Sequence, residues 1–312
     1  MFLASAICSI LVAANFQQLG TADIAEMVAR KHKMSTSYRV QMRVETRHYV
    51  APNVGRNAYT ASIWRDGDKL RVDITDAVGE PAPPAGMVRT GGEGERRITC
   101  HNCERTGYFL ITGVFPGNPK LTSIVGFHKT PALAGYFSEL DIDWRFLGMT
   151  NNSLHAYKLA AVAEGCQNYL ANPKRVLSRS VRDNKPCLVS SLTIPTSHSE
   201  TYFFVDDGHN PIINTGVYKS DQGLLKCTTE IEWRKTPGNH LYPSRIRHSE
   251  MKGEKFQSDE TINVIDADFH SPINPVVFTL AGLNLNDGQL IAYPDVPAAD
   301  RPRWRNAKPA LP

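Results

Sequence analysis

Two cysteines separated by a histidine and an asparagine, Cys100-His101-Asn102-Cys103, are the side chains of this sequence most able to do chemistry. Their spacing suits a redox centre, half of a zinc site, or a disulfide across a turn. A redox centre needs its first cysteine at a helix N-terminus, where the helix dipole favours the thiolate. The flanking "RRIT" and "ERTGYFLIT" are instead typical of strands. A structural zinc site needs four ligands, commonly from two such pairs, and the other cysteines are scattered singly.

The turn is the simplest of the three interpretations. His101 and Asn102 would be the two central residues of a tight hairpin, since Asn tolerates left-handed backbone geometry. The flanking cysteines would then lie within the ~7 Å limit of a turn, which is inside disulfide range. The pair is therefore predicted to form a structural disulfide, either between Cys100 and Cys103 or from one of them to a distant strand.

The ten histidines and the neighbouring carboxylates match no catalytic motif. The sequence contains no HExxH spacing, no Gly-x-Ser-x-Gly elbow, no phosphate-binding glycine loop and no EF-hand pattern. Asp206-Asp207-Gly208 is interpreted as turn chemistry, because hairpins need these residue types. The sequence predicts no enzyme, no metal and no cofactor. Four histidines are interpreted as surface residues: His209, His240, His248 and His270.

Composition favours a globular protein, and the N-terminal segment indicates export from the cytosol. The 312 residues are 41% hydrophobic and 21% charged, and the net charge of +4 is spread along the chain, which argues against a nucleic-acid partner. Residues 1–14, "MFLASAICSILVAA", resemble a signal peptide cleaved after Ala14 and are too short to span a membrane. The alternative is a hydrophobic N-terminal helix of a cytosolic protein. We expect an exported protein of the periplasm or cell envelope, with no transmembrane segment in the mature chain.

Removal of this leader would also remove Cys8, one of six cysteines. The remaining number permits two disulfides and one free thiol in an oxidising compartment. The disulfide candidates are Cys100, Cys103, Cys166, Cys187 and Cys227.

Alternating hydrophobicity predicts a mainly β domain over residues 15–292. The segment "YRVQMRVETR" alternates apolar and polar side chains, as does the hairpin around Asp66-Gly67. After residue 174, turn signals at Asp183-Asn184, Pro237-Gly238 and Gly253 are typical of an antiparallel meander. Helices are predicted near residues 21–32, 130–140 and 153–172, with a flexible loop over 77–94 and a disordered Pro-rich basic tail over 293–312.

The apolar positions of these elements would line a cavity between the sheet and the covering helices, with strand parity deciding which of them face inward. The candidates are Tyr38, Val40, Met42, Val44, Ile63, Leu70, Val72, Ile74, Leu133, Phe137, Ile262 and Val264.

The order of elements resembles the LolA-like superfamily of bacterial envelope proteins, which includes lipoprotein carriers and related lipid-binding or sensor proteins. The resemblance covers most of residues 21–283 as a pattern. It rests on the leader, the two helices, and the segments "YRVQMRVETR", "DGDKLRVDI", "YFFVDDGHNPI" and "YPSRIRHSEMKGEKFQSDETINVIDADFHSPINPVVFTL". It implies a large antiparallel half-open β-barrel with a helical lid.

In the carriers of this superfamily the cavity takes acyl chains, so the resemblance implies that a lipid or lipoprotein acyl chain is the ligand. The chain is longer than a minimal carrier, and no individual functional residue is carried over. The alternative is an envelope protein-interaction or sensor module whose sheet interior is filled by its own side chains. A third interpretation is a metal-dependent enzyme that uses Cys100, Cys103 and a histidine.

Overall fold

The computed structural model describes residues 37–50, 54–76, 96–101, 107–112, 123–127, 172–204, 211–220, 223–238, 241–285, 287–292, 296–306 and 308–310. The predicted leader, the predicted helices near 21–32 and 130–140, the loop over 77–94 and all but the last residue of the helix predicted near 153–172 lie outside the described residues. The described strands form a single 16-stranded sheet. The prediction of a mainly antiparallel β fold is confirmed, since every neighbouring pair is antiparallel except β6 and β14.

The first six strands form one meander. They are β1 (Ser37–His48), β2 (Gly55–Asp66), β3 (Lys69–Asp76), β4 (Arg96–His101), β5 (Gly107–Thr112) and β6 (Ser123–Phe127). The next seven form a second meander. They are β7 (Val176–Arg182), β8 (Lys185–Ile194), β9 (Ser197–Phe204), β10 (Pro211–Ser220), β11 (Gly223–Lys235), β12 (Leu241–Lys252) and β13 (Lys255–Asp268).

Strand β1 joins the two meanders, because it pairs with β2 on one side and with β13 on the other. The short strands β14 (Leu290–Ala292), β15 (Arg303–Arg305) and β16 (Lys308–Ala310) extend the sheet beyond β6. Among the described strands the order is open, with β16 at one end and β7 at the other.

Two predicted hairpins close as the turn residues require. Gly67 has a φ of +61° between β2 and β3, which is the left-handed region that glycine enters without a steric penalty. Asp183 and Asn184 both have positive φ, 51° and 58°, between β7 and β8. Two central residues with positive φ are the type I′ arrangement that matches the twist of paired strands.

The predicted turn at His101-Asn102 is wrong. His101 is the last residue of β4 and pairs with Gly107 of β5, so the connection is residues 102–106 rather than two residues. Strand alternation and Asn chemistry indicated a hairpin in this region, but its register is set by the pairing of Cys100 with Tyr108 across the two strands.

The sheet has two faces with different contents. Along β1, residues at even positions from Tyr38 to Thr46 are buried and those at odd positions are partly or fully exposed, as expected for a strand with one face in the core. We call the side that carries Val40 the strip face and the opposite side, which carries Arg71, the reverse face. The register places Val40, Ile63 and Val72 in one cross-strand row on the strip face.

Two 3₁₀ turns cover the reverse face near β2, β3 and β4. They are η1 (Pro275–Phe278) and η2 (Leu280–Leu283). The Asn274 side chain caps η1 by accepting from the Val276 N–H at 3.0 Å, and Pro275 begins the turn with a favourable φ. Gly282 permits close backbone packing, since a Cβ there would lie 2.1 Å from the Val276 carbonyl oxygen.

Apolar side chains of these turns form a second core with the sheet. It contains Ile98, Cys100, Phe278, Leu280, Leu283, Ile291 and Trp304. The sequence predicts a disordered tail over 293–312, but the structure places β15, β16 and the 3₁₀ turn η3 (Ala298–Asp300) there. Burial of Trp304 in this core, at 5% exposure, explains the difference, because one indole removes a large apolar area from water.

Arg71 fastens η1 and η2 to the sheet. Its guanidinium donates two hydrogen bonds, at 2.7 and 2.8 Å, to the carboxylate of Asp73, which lies two residues further along β3. It also donates to the carbonyl oxygens of Val277 and Gly282, at 2.7 and 2.9 Å, and lies 5.2 Å from the centre of the Trp64 ring. A buried ion pair is stable when further hydrogen bonds satisfy its charges, and here the backbone of η1 and η2 supplies them.

We predict that Arg71→Ala lowers the free energy of unfolding by about 3–5 kcal/mol, because it leaves the Asp73 carboxylate buried without its cation. Urea denaturation measures the change. The matched control is Arg39→Ala, which removes an ion pair to Asp266 whose side chains are 53% and 50% exposed; we expect a change of about 1 kcal/mol or less. Equal effects of the two substitutions would contradict the anchoring role of Arg71.

Candidate functional site

The predicted cavity residues share one face of the sheet. Ten of the twelve are described, and all ten lie on the strip face; Leu133 and Phe137 lie outside the described residues. Those ten are Tyr38, Val40, Met42, Val44, Ile63, Leu70, Val72, Ile74, Ile262 and Val264. We call the buried apolar set of this face the apolar strip. It comprises Tyr38, Val40, Met42, Val44, Ala61, Ile63, Leu70, Val72, Ile74, Ile231, Ile246 and Ile262, with Val264 packed against it.

Sequence reasoning missed the contribution of the second meander to the strip. Ile231 on β11 and Ile246 on β12 are directly paired, and Ile246 pairs in turn with Ile262 on β13. The strip therefore crosses six strands, about 24 Å, and follows β1 from Tyr38 to Val44, about 20 Å. Alternation within "TEIEW" and "SRIRH" indicated these positions, but their place beside β1 depends on a register that no local pattern specifies.

Aromatic rings stand at one end of the strip. Phe269 lies between Tyr38 and Tyr242, with ring centres 6.3 Å apart in both pairs. Trp233, Tyr242 and Phe269 are partly buried and pack against the strip. The Tyr and Trp rings of this group are apolar on their faces and polar at one atom, which suits the border between an apolar surface and water.

A row of buried polar side chains stands at the other end. It crosses the sheet in register, and its described members are Ser190, Thr201, Thr229, His248, Glu260 and Thr46. Arg175 donates to the Ser190 hydroxyl at 2.8 Å, and the Thr46 hydroxyl donates to the Glu260 carboxylate at 3.1 Å. We call this set the polar row. Each of these residues makes at least one hydrogen bond, which offsets part of the cost of its burial, while the buried His248 Nε2 makes none.

His248 is not the surface residue that the sequence predicts, since only 3% of it is exposed. Its Nδ1 lies 2.8 Å from the Thr229 hydroxyl on β11, and its Nε2 lies 3.5 Å from the Glu250 carboxylate. The imidazole of His248 and the hydroxyl of Ser258 hold the pKa of Glu250 below its ordinary value. The Cys227 sulfur completes this group, in which one ligand atom from each of Cys227, His248 and Glu250 lies within 4.8 Å of the others.

Two of the predicted disulfide cysteines are free thiols. Cys187 and Cys227 are both buried and unbridged, because they lie on opposite faces of the sheet with β9 and β10 between their strands, a separation of about 14 Å. Cys100 is buried on the reverse face. Cys100 is disulfide-bonded, as predicted. Its predicted partners, Cys103 and Cys166, lie outside the described residues, so the identity of the partner stays a prediction.

Comparison with known proteins gives likenesses of fold. The chain is similar to a DUF1329 family protein from Desulfovibrio piger, with 11% identity and a TM-score of 0.42 over 83% of this chain and 97% of that one. It is similar to a LolA superfamily protein from Nitrosomonas europaea, with 14% identity and a TM-score of 0.38 over 82% and 97% of the two chains. A domain from Vibrio parahaemolyticus described as outer membrane lipoprotein-sorting gives 8% identity and a TM-score of 0.41 over 83% and 97%.

No protein-family model matches the sequence, and no curated protein matches it. Because all three TM-scores lie below 0.5, these likenesses carry no conclusion about function, which depends on the side chains of this chain. Within the described part of the chain, no helix has the length and apolar character to cross a membrane.

We predict that Cys227 reacts slowly with thiol reagents in the folded protein. Burial raises the pKa of its thiol from 9.0 to about 11, so the reactive thiolate at pH 8 is roughly a hundredfold scarcer than in an ordinary cysteine. Alkylation of the protein after treatment with a chelator, followed by peptide mass spectrometry before and after addition of urea, measures the reactivity of the two free buried thiols, Cys187 and Cys227. Rapid modification of Cys227 in the folded state would show that the strand pair around it opens.

Proposed function

We propose that the protein is exported and binds an apolar ligand, a lipid or a lipoprotein acyl chain, against the apolar strip without catalysing a reaction. The observation that carries the proposal is the strip itself, a continuous set of apolar side chains on one side of a sheet whose two end strands, β16 and β7, are not neighbours in the strand order. It has an aromatic border at one end and the polar row at the other. An amphipathic molecule with a long apolar chain and a polar head matches that order of surfaces.

The free energy of ligand binding depends on the apolar area that the ligand buries against the strip. Each methylene that a ligand buries contributes roughly 0.8 kcal/mol, and the strip extends about 20 Å along β1. Its side chains are at most 5% exposed, so water does not wet the strip in this state. A ligand therefore has to displace protein atoms that now cover the strip, and the net affinity is the difference between ligand contacts and the contacts that are lost.

The proposed carrier also includes three features predicted from the sequence: a leader, a half-open barrel and a helical lid. The leader over 1–14 would direct the chain to the periplasm, and 15–292 would form one half-open barrel. The helix near 130–140 would supply Leu133 and Phe137 to the lid over the strip. Such a lid would be a removable apolar cover over the strip.

The alternative function is an interaction or sensor module whose sheet interior stays filled. The near-complete burial of the strip favours it. The two functions differ in one measurable respect, because a carrier takes up an apolar ligand and a filled module does not.

We predict that Val264→Asp weakens binding of a fluorescent fatty acid by more than about tenfold, because it puts a carboxylate beside the strip without a partner. The matched control is Ile265→Asp, since Ile265 is the next residue along β13 and is 59% exposed; we expect unchanged binding. Fluorescence titration measures affinity, and circular dichroism confirms that each variant is folded. Native mass spectrometry of the purified wild type is expected to show bound lipid.

Should Val264→Asp fail to fold, Val264→Ala replaces it, with a smaller loss of affinity in the same direction. Wild-type protein that carries no lipid and takes up no fatty acid would contradict the carrier and favour the filled module. Equal loss of binding in Val264→Asp and Ile265→Asp would place the ligand elsewhere on the protein.

A further inference from the structure

We propose that Cys227, His248 and Glu250 bind a single divalent transition-metal cation, with Zn²⁺ as the best chemical match. The three residues come from two neighbouring strands. Cys227 on β11 is paired in register with Glu250 on β12, and His248 lies two residues before Glu250 on the same face. The proposal depends on this juxtaposition and not on the apolar ligand.

The distances fit one ion after small side-chain adjustments. One ligand atom from each residue lies within 4.8 Å of the other two, and His248 Nε2 lies 3.5 Å from Glu250 Oε1. Zinc bonds sulfur at about 2.3 Å and nitrogen or oxygen at about 2.0–2.2 Å, so in tetrahedral geometry the sulfur lies about 3.6 Å from each nitrogen or oxygen ligand. Side-chain rotations that move the ligand atoms by about an ångström would bring the sulfur to that distance.

The surrounding hydrogen bonds hold the ligands in orientations suited to a metal. When His248 Nδ1–H donates to the Thr229 hydroxyl at 2.8 Å, Nε2 presents its lone pair toward Glu250. The Ser258 hydroxyl donates to Glu250 Oε2 at 3.1 Å, which leaves Oε1 directed at His248. Metal-ligating histidines and carboxylates are commonly oriented by such outer contacts, which also tune the affinity.

A second His-Ser-Glu sequence in the same sheet provides an internal comparison. His198 and Glu200 on β9 have an Nε2–Oε1 distance of 3.3 Å, and His198 Nδ1 lies 2.8 Å from the Thr193 hydroxyl. That pair is on the reverse face, with side chains 44% and 30% exposed. Among the residues that the structure describes, the group at His248 is the one in which three potential ligands converge. Burial and a sulfur ligand therefore distinguish the proposed site from an ordinary His–Glu pair.

The ligand set selects the class of cation. Thiolate and imidazole favour Zn²⁺ over Mg²⁺ or Ca²⁺, which prefer oxygen ligands. Binding replaces the proton of the Cys227 thiol with the metal and releases that proton to solvent. Three protein ligands leave a fourth position of the tetrahedron for water. Entry is possible from the side of Glu250, whose side chain is 29% exposed while that of His248 is 3% exposed.

The test uses the full chain stripped of metal with a chelator. Titration with Co²⁺, followed by absorption, reports sulfur ligation through a sulfur-to-cobalt charge-transfer band. Competition between the protein and a chromogenic chelator gives the Zn²⁺ affinity and stoichiometry. We expect one equivalent of Zn²⁺, the charge-transfer band in the wild type, and its loss in Cys227→Ser. Because removal of one outer contact already weakens metal sites by about 10–100-fold, His248→Gln and Glu250→Gln should each weaken Zn²⁺ binding by more than about tenfold.

The matched controls are Cys187→Ser, which removes the other buried thiol, and His198→Gln, which breaks the exposed His–Glu pair. Both are expected to keep the wild-type affinity and spectrum. The proposal is overturned if Co²⁺ binds without the charge-transfer band, if the band survives Cys227→Ser, or if no stoichiometric Zn²⁺ binding occurs. The charge-transfer band of the wild type keeps the test decisive if a variant fails to fold.

Discussion

The fold depends on one constraint, the continuous register that β1 shares with β2 and β13. Side chains alternate between faces with a period of two, so a slip of one residue at β1 would send Val40, Met42 and Val44 to the opposite face. Because β1 lies between the two meanders, its register sets the faces of both. The apolar strip, the aromatic border and the polar row all follow from this alignment. The β-bulge between Gln41 and Met42 is accommodated without loss of the pattern, since Ile265 becomes the unpaired, exposed residue.

The two faces of the sheet are stabilised by different means. The strip face is stabilised by apolar packing, whose total contribution is large but which is not directional. The reverse face is held by Arg71, whose guanidinium satisfies Asp73 and two carbonyl groups of η1 and η2 at once. Directional bonds of this kind fix one arrangement. In the proposed function, the cover that moves is therefore the one over the strip face.

Local chemistry predicted the features whose causes are local. The predicted turns at Gly67 and at Asp183-Asn184 both connect paired strands, and the alternation of β1 identified the buried side of the strand. The errors involve long-range pairing. His248 is buried because Thr229 and Glu260 flank it from neighbouring strands, and no spacing in "RHSEMK" indicates that Cys227 would lie opposite Glu250. Trp304 likewise has its place only once β14 has paired with β6.

The central claim is that an apolar ligand occupies the strip face, and photo-crosslinking tests it most directly. A fatty acid with a photoreactive group near its chain end would be bound to the wild type, illuminated, and mapped by peptide mass spectrometry. The account predicts adducts at Val40, Met42 or Val44 and none at their neighbours Arg39, Gln41 and Arg43, since successive side chains of a strand lie on opposite faces. Adducts confined to the odd positions or to the reverse face, or no adducts at saturating ligand, would contradict it.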